Sequence, residues 1–282
     1  MTVMIDGRGT AEKIRSQLKG KTEKLKQQGL EPCLAVVLVG DDPASHVYVR
    51  NKKRAAEKIG IKTKDITLPA NTTQAELLQL IDELNGDVTV HAILVQMPLP
   101  AQLDENAVIE RIDPKKDADG LHPENLGHLF MDQPKALPCT PRGIMVLLEE
   151  YQIPVAGKNV VIIGRSNLVG RPLAALMINA DATVTVAHSK TKDLQRVASQ
   201  VDILVVATGR AEMVDETYIK EGATVIDVGI NRLANGKLVG DVKQASAVTK
   251  AAYLTPVPGG VGPMTIAMLM QQTLELAEKS NS

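Results

Sequence analysis

The sequence predicts an α/β protein built mainly on parallel sheet, and three observations carry that prediction. Short aliphatic runs alternate with helical segments along almost the whole chain. The clearest run, residues 34–39, is apolar without a polar break, as a strand covered on both faces requires. Glycine, proline and Asn/Asp turn signals punctuate the runs where strand–helix connections belong. Hydrophobic residues make up 44% of the chain and charged residues 23%, enough apolar surface for a sizeable core. With no Trp and a single Phe, aliphatic side chains must fill that core.

In chain order, a polar helix over residues 11–28 precedes the buried strand 34–39. Asp41-Asp42-Pro43 starts a helix that Gly60 ends, since proline suits the first helical turn. Residues 62–68 form the next strand. Thr73 and Glu76 stand at capping-box spacing, and Asn85-Gly86 closes that helix. Residues 91–96 are again a strand, stopped by Met97-Pro98-Leu99-Pro100. Residues 113–141, rich in Pro, Gly, Asp and His, are the expected linker, with one short helix near 123–129. Thr140-Pro141 reads as N-cap and first-turn proline of a helix to about residue 151. A second α/β unit follows, with strands at 159–163, 183–187, 203–207 and 224–228 and helices beginning near Gly170, Thr191 and Val214. Asn235-Gly236 marks a hairpin. A stiff glycine-rich loop over 255–263 leads into a closing amphipathic helix over 264–279.

Charge excludes some partners. The chain holds 32 basic and 33 acidic residues, a net charge of -1, which argues against nucleic acid or an anionic membrane as the main partner. Cys33 and Cys139 lie outside any CxxC arrangement and fit a reducing compartment. The five histidines lack metal-ligand spacing, so no metal is expected. No basic-then-apolar leader or transmembrane-length run is present, and the expected location is cytoplasmic.

Residues 158–172 read as a strand meeting a helix N-terminus, where unpaired backbone amides and the helix dipole form an anion site. Gly164 allows a tight turn and Gly170 close helix–strand packing, with Arg165, Ser166 and Val169 between them. The middle glycine of the dinucleotide pattern is missing, so an ordinary strand–helix turn is the alternative. The next strand ends Ala187-His188-Ser189-Lys190-Thr191, without the carboxylate that usually holds an NAD ribose. Arg165, Ser189 and Lys190 offer charge and donors suited to a 2′-phosphate, which points to NADP. A solvated basic turn is the alternative for Lys190.

The first half carries the catalytic candidates. Tyr48 and Lys52 are four residues apart on one helix and share a face. A lysine beside a phenol and shielded from water can act as a general acid/base, whereas Arg50, Lys52, Lys53 and Arg54 can equally form a solvated basic helix. Gln96 ends a strand, where open α/β sheets bind ligands. Asp119, before Gly120, can pair with an amino-substituted heterocycle through two parallel hydrogen bonds, or serve only an Asp-Gly turn. The loop Pro258-Gly259-Gly260-Val261-Gly262 permits close approach of backbone to a ligand, or forms a hinge.

In order along the chain, these motifs closely resemble the bifunctional methylenetetrahydrofolate dehydrogenase/cyclohydrolase family. The resemblance rests on Gly40-Asp41-Asp42-Pro43-Ala44-Ser45, Tyr48-Val49-Arg50-Asn51-Lys52, Val95-Gln96-Met97-Pro98-Leu99-Pro100 and Lys116-Asp117-Ala118-Asp119-Gly120. It continues through His122-Pro123-Glu124-Asn125, Pro138-Cys139-Thr140-Pro141, Gly164-Arg165-Ser166, His188-Ser189-Lys190-Thr191 and the loop 255–265. The departures are Ala118, where the family commonly has a bulkier residue, and His128, often basic there.

The resemblance implies two reactions in one site. NADP+ takes a hydride from methylenetetrahydrofolate, and water then opens the methenyl product to 10-formyltetrahydrofolate. By similarity Lys52 is the acid/base of the hydrolytic step, with Tyr48 and Gln96 positioning it and the folate, and Asp119 binds the pterin amino edge. Val95, Met97, Pro258, Gly259, Gly260, Val261 and Gly262 join the folate site. Gly164, Arg165, Ser166, Val169, Gly170, Ser189 and Ile230 hold NADP. The resemblance further implies a folate-binding catalytic domain over residues 1–139, a Rossmann-type NADP domain over 140–259, and a C-terminal helix, 260–282, returning to the first domain. It also implies a cleft between the domains and a homodimer formed through the cofactor domain, and leaves open whether the folate is polyglutamylated. Two other classes stay in view: a shikimate- or amino-acid-type dehydrogenase, and a non-catalytic folate or nucleotide sensor on the same fold.

Overall fold

The computed structural model describes residues 1–280. Strand β1 (Val3–Met4) and helix α1 (Gly7–Gln27) precede β2 (Cys33–Val39), α2 (Pro43–Ile59), β3 (Lys62–Leu68), α3 (Gln74–Gly86) and β4 (Ala92–Val95). Helices α4 (Glu105–Arg111), α5 (Pro123–Phe130) and α6 (Cys139–Glu150) lead to β5 (Asn159–Ile163), α7 (Gly170–Asn179), β6 (Thr183–Ala187), α8 (Leu194–Ala198), β7 (Ile203–Val206) and β8 (Thr224–Asp227). The chain ends with β9 (Asn231–Arg232), β10 (Leu238–Val239), α9 (Gln244–Ala247), β11 (Tyr253–Leu254) and α10 (Val261–Ser280).

These elements form two compact units, one of residues 13–137 with 266–282 and one of residues 1–12 with 138–265. In the first, β2 lies between β3 and β4 in a parallel sheet. Every residue of β2 is buried, which is why its sequence carries no polar position. Asp42 caps α2 by accepting the Ser45 N–H at 2.7 Å, and Gly60 ends the helix in the left-handed region, φ 82°. The Thr73/Glu76 capping box is present at the start of α3. The C-terminal helix belongs to this unit from residue 266 onward, and Lys21 pairs with Glu278 at 2.7 Å.

The second unit holds a six-stranded parallel sheet in the order β1-β11-β8-β7-β5-β6. Strand order reverses at β5, which has β6 on one side and β7 on the other. In doubly wound sheets such a switch point, at the carboxyl ends of the strands, is where ligands bind.

Three local expectations need correction, and two are filled in by the packing. Residues 1–12 pack with the second unit, because Val3 and Met4 pair with Tyr253 and Leu254 of β11 and the Arg8 N–H donates to the Gly259 carbonyl at 2.9 Å. Residues 113–141 contain the boundary between the units, after residue 137, and are well packed before it. Asp117 bridges to Ile93 beside β4, and Asp117, Ala118 and Asn125 are buried. Helix α6 starts at Cys139 after Pro138, while the Thr140 hydroxyl hydrogen-bonds that of Thr265 at 2.9 Å. Helix α8 starts at Leu194 because His188–Thr191 is a turn, closed by the Thr191 N–H to the His188 carbonyl. After β7 only a 3-10 turn forms, Glu216–Tyr218, capped by Asp215. The Asn235-Gly236 turn does join β9 and β10 as an antiparallel pair. Among the described residues, no helix is long and apolar enough to cross a membrane.

Candidate active site

The catalytic candidates of the first unit meet at the carboxyl end of β4. Helix α2 presents Tyr48 and Lys52 one turn apart, Tyr48 exposed and Lys52 half-buried. The Lys52 ammonium donates to Gln96 Oε1 at 3.0 Å. Gln96 donates from Nε2 to the Met97 carbonyl at 2.6 Å, so its amide oxygen is held toward the lysine. Val95 is buried in the sheet and Met97 half-buried just beyond it.

Asp119 joins this group from the neighbouring loop. Burial pushes its carboxyl above the ordinary value, the Lys52 charge pulls it back, and Asp117 adds a smaller upward push. Burial and the lysine charge thus act on the Asp119 carboxyl in opposite directions. Such a pair can bind a donor-rich heterocycle and move a proton at a neighbouring atom.

Two residues that escaped the sequence reading hold the Asp119 loop. Asp117 accepts the Gly120 N–H at 2.9 Å, the His122 N–H at 2.8 Å and the Asn125 amide at 2.9 Å. Gln272 of α10 donates to the Ala118 carbonyl at 2.9 Å and accepts the Leu137 N–H at 2.9 Å. The only signal for Gln272 was a polar residue on the apolar face of a closing helix.

The second unit supplies the phosphate turn at the switch point. Gly164 has φ 134°, and a Cβ there would overlap the Ala207 carbonyl oxygen. A Cβ at Gly170 would overlap the Gly164 carbonyl. Both positions thus require glycine, and the turn passes close against the residue after β7 and the start of α7. Ser166 accepts the Val169 N–H at 3.2 Å and, through its carbonyl, the Arg171 N–H at 3.1 Å, shaping the exposed loop that also carries Arg165. Ser189 is exposed at the end of β6, in a turn where Thr191 Oγ1 accepts the His188 N–H at 2.8 Å. This cradle, open to close backbone approach and with a cationic side chain on its rim, fits a dinucleotide phosphate.

The loop of Pro258, Gly259, Gly260, Val261 and Gly262 belongs to this same unit. Gly260 N–H donates to the Pro256 carbonyl at 2.8 Å, and α10 begins at Val261. A Cβ at Gly262 would stand 3.3 Å from Ile230 Cδ1, so the exposed Ile230 side chain and this loop are neighbours.

Comparison with known proteins finds the same family in both halves of the chain. Residues 5–119 match the tetrahydrofolate dehydrogenase/cyclohydrolase catalytic domain, and residues 138–281 the NAD(P)-binding domain of the same family. The chain is 61% identical over 280 residues to the bifunctional protein FolD of Ligilactobacillus salivarius, covering 99% of this chain and 98% of that one. The FolD methylenetetrahydrofolate dehydrogenase/cyclohydrolase structure from Campylobacter jejuni superposes with a TM-score of 0.98 at 50% identity, covering 99% of each chain. The Trypanosoma brucei enzyme, solved with NADP and an inhibitor, gives a TM-score of 0.96 at 40% identity over 99% of this chain and 98% of that one.

Proposed function

The chain belongs to the tetrahydrofolate dehydrogenase/cyclohydrolase family, and from that premise we propose that it oxidises methylenetetrahydrofolate to the methenyl form with NADP+ and hydrolyses that product to 10-formyltetrahydrofolate. The observation that carries this reading is the Lys52–Gln96 hydrogen bond beside Asp119 at the end of β4.

Bound NADP+ supplies the hydride acceptor. Toward it this chain contributes the Gly164 and Gly170 backbone cradle, with Ser166 and Val169 shaping the turn and Arg165 and Ser189 as donors for a 2′-phosphate. Ile230 would contact the nicotinamide half. The first step needs little acid/base help, because the folate nitrogens share the positive charge of the product. Alignment of the two rings is the main requirement.

Hydrolysis needs protons moved. Water oxygen bonds to the methenyl carbon, the carbon–nitrogen bond of the ring breaks, and the departing nitrogen takes a proton, with one proton released overall. Lys52 is the group that moves these protons, and Gln96 and Tyr48 orient it. Asp119 accepts two N–H bonds from the pterin amino edge. Val95 and Met97 complete the folate contacts on this unit. A homodimer in the cytoplasm, acting on folates with or without a polyglutamate tail, is the setting we infer.

One spectrophotometric assay tests the reading. With methylenetetrahydrofolate as substrate, NADP+ is expected to be reduced much faster than NAD+, and the methenyl signal to rise and then decay. Turnover without decay of the methenyl signal beyond its spontaneous rate would remove the cyclohydrolase half, and reduction of neither cofactor would remove both.

A further inference from the structure

Two buried carboxylates outside the groups discussed so far lie at the carboxyl ends of β8 and β10. Asp227 is 1% exposed and Asp241 0%. Asp241 Oδ2 accepts the Thr208 N–H at 2.6 Å, the Thr208 hydroxyl at 3.0 Å and the Gly209 N–H at 2.9 Å. Its Oδ1 accepts from the Asn231 amide at 2.9 Å. Asp227 in turn accepts the backbone N–H groups of Gly229, Asp241 and Val242 at 3.0, 2.9 and 2.9 Å. A Cβ at Gly229 would overlap Asp241 Oδ1, and one at Gly240 would overlap Asp227 Oδ2. The carboxylates therefore sit directly against backbone, with glycine where they touch.

Position in the sheet gives this network a role. In the NADP reading a 2′-phosphate would be held at the end of β6, on one side of the switch point, and the nicotinamide half would fall on the other side, toward β7 and β8. Asp241 ties together the two segments at those strand ends: Thr208-Gly209 after β7, and Asn231, next to Ile230, after β8. The first of these follows Ala207, whose carbonyl forms the wall of the Gly164 turn. Burying two carboxylates costs stability that an apolar pair of similar size would not. Burial even raises the Asp227 carboxyl to about 7, against the pull of its three N–H donors, with Asp241 adding a smaller push.

We propose that Asp241 is a positioning residue for the nicotinamide half of the dinucleotide site, acting through Asn231 on Ile230 and through Thr208 on the loop after β7. This rests on the NADP reading given above. It places no demand on Lys52, Gln96 or Asp119, which belong to the other unit.

Calorimetric titration of the full-length protein with NADP+ and, separately, with adenosine 2′,5′-bisphosphate tests it, using wild type, Asp241→Asn and the milder Asn231→Ala. Loss of one or two buried hydrogen bonds near the nicotinamide predicts an NADP+ Kd raised about tenfold in both variants. The bisphosphate Kd is expected to stay at the wild-type value, and cyclohydrolase activity on methenyltetrahydrofolate to be retained. Parallel weakening of both ligands in Asn231→Ala would mark a merely structural role, and unchanged NADP+ binding would mark no role; either overturns the inference. A wild type that binds neither ligand overturns the cofactor reading and this inference with it.

Discussion

Lys52 and Gln96 come from different elements, helix α2 and the end of β4, yet the lysine ammonium donates to the Gln96 amide oxygen at 3.0 Å. The Met97 carbonyl fixes the other end of that amide at 2.6 Å. The amide is thus oriented by the backbone and cannot swap its oxygen for its nitrogen without losing both bonds. Gln96→Leu keeps similar bulk and removes the acceptor. Cyclohydrolase turnover is expected to fall roughly tenfold to a hundredfold, within the range of acid–base positioning effects, with NADP+ affinity unchanged. Stopped-flow decay of methenyltetrahydrofolate measures it.

Asp119 should give the folate site an acid limb. Its carboxyl is raised by burial, so the ionised form proposed to pair with a pterin is lost at a higher pH than for an ordinary aspartate. Asp119→Asn is expected to raise the folate KM about tenfold to a hundredfold and to abolish that limb of kcat/KM. The stability sign follows from the same shift. With the folded pKa raised, the contribution of this group is full below the unfolded pKa and lost as pH rises through the folded one. Asp119→Asn should therefore be more stable than wild type at neutral pH and lose that advantage in acid, as urea midpoints against pH would record.

Arg165 stands exposed on the rim of the phosphate turn. If it contacts a 2′-phosphate, Arg165→Ala raises the KM for NADP+ about tenfold to a hundredfold and leaves that for NAD+ nearly unchanged. Equal effects on both cofactors would assign Arg165 to the shared pyrophosphate instead.

Gln272 anchors the Asp119 loop from a helix 154 residues away. Gln272→Leu removes its hydrogen bonds to the Ala118 carbonyl and from the Leu137 N–H, at about 0.5–1.5 kcal/mol each. Thermal unfolding should show the loss of stability. The folate KM should rise in the residual folded protein while NADP+ affinity holds, as parallel kinetics and calorimetry would show.

The repeating architecture was legible because its causes are local. The uninterrupted apolar run of β2, the capping box at Thr73 and the hairpin at Asn235-Gly236 each announce themselves within a few residues. Glycines 164 and 170 were legible as a turn, and the carbonyls of Ala207 and Gly164 now account for why each must lack a side chain. Lys52, Gln96 and Asp119 were legible as candidates, while their convergence required the parallel register of β2 and β4. What escaped was long-range or polar and buried. A two-residue strand cannot declare that it pairs with residues 253–254, so the packing of residues 1–12 beside β11 was not legible. Asp227, Asp241 and Gln272 sit among apolar residues, and only tertiary structure reveals the backbone N–H and carbonyl groups that justify their burial.

The central claim is that Lys52 serves hydrolysis and is dispensable for hydride transfer, and Lys52→Gln measures this most directly. Both activities are followed on one preparation whose NADP+ affinity is first shown to match wild type. The account predicts at least about a hundredfold loss of cyclohydrolase with most dehydrogenase activity retained, so that methenyltetrahydrofolate accumulates. Equal loss of both activities with cofactor binding intact would contradict it.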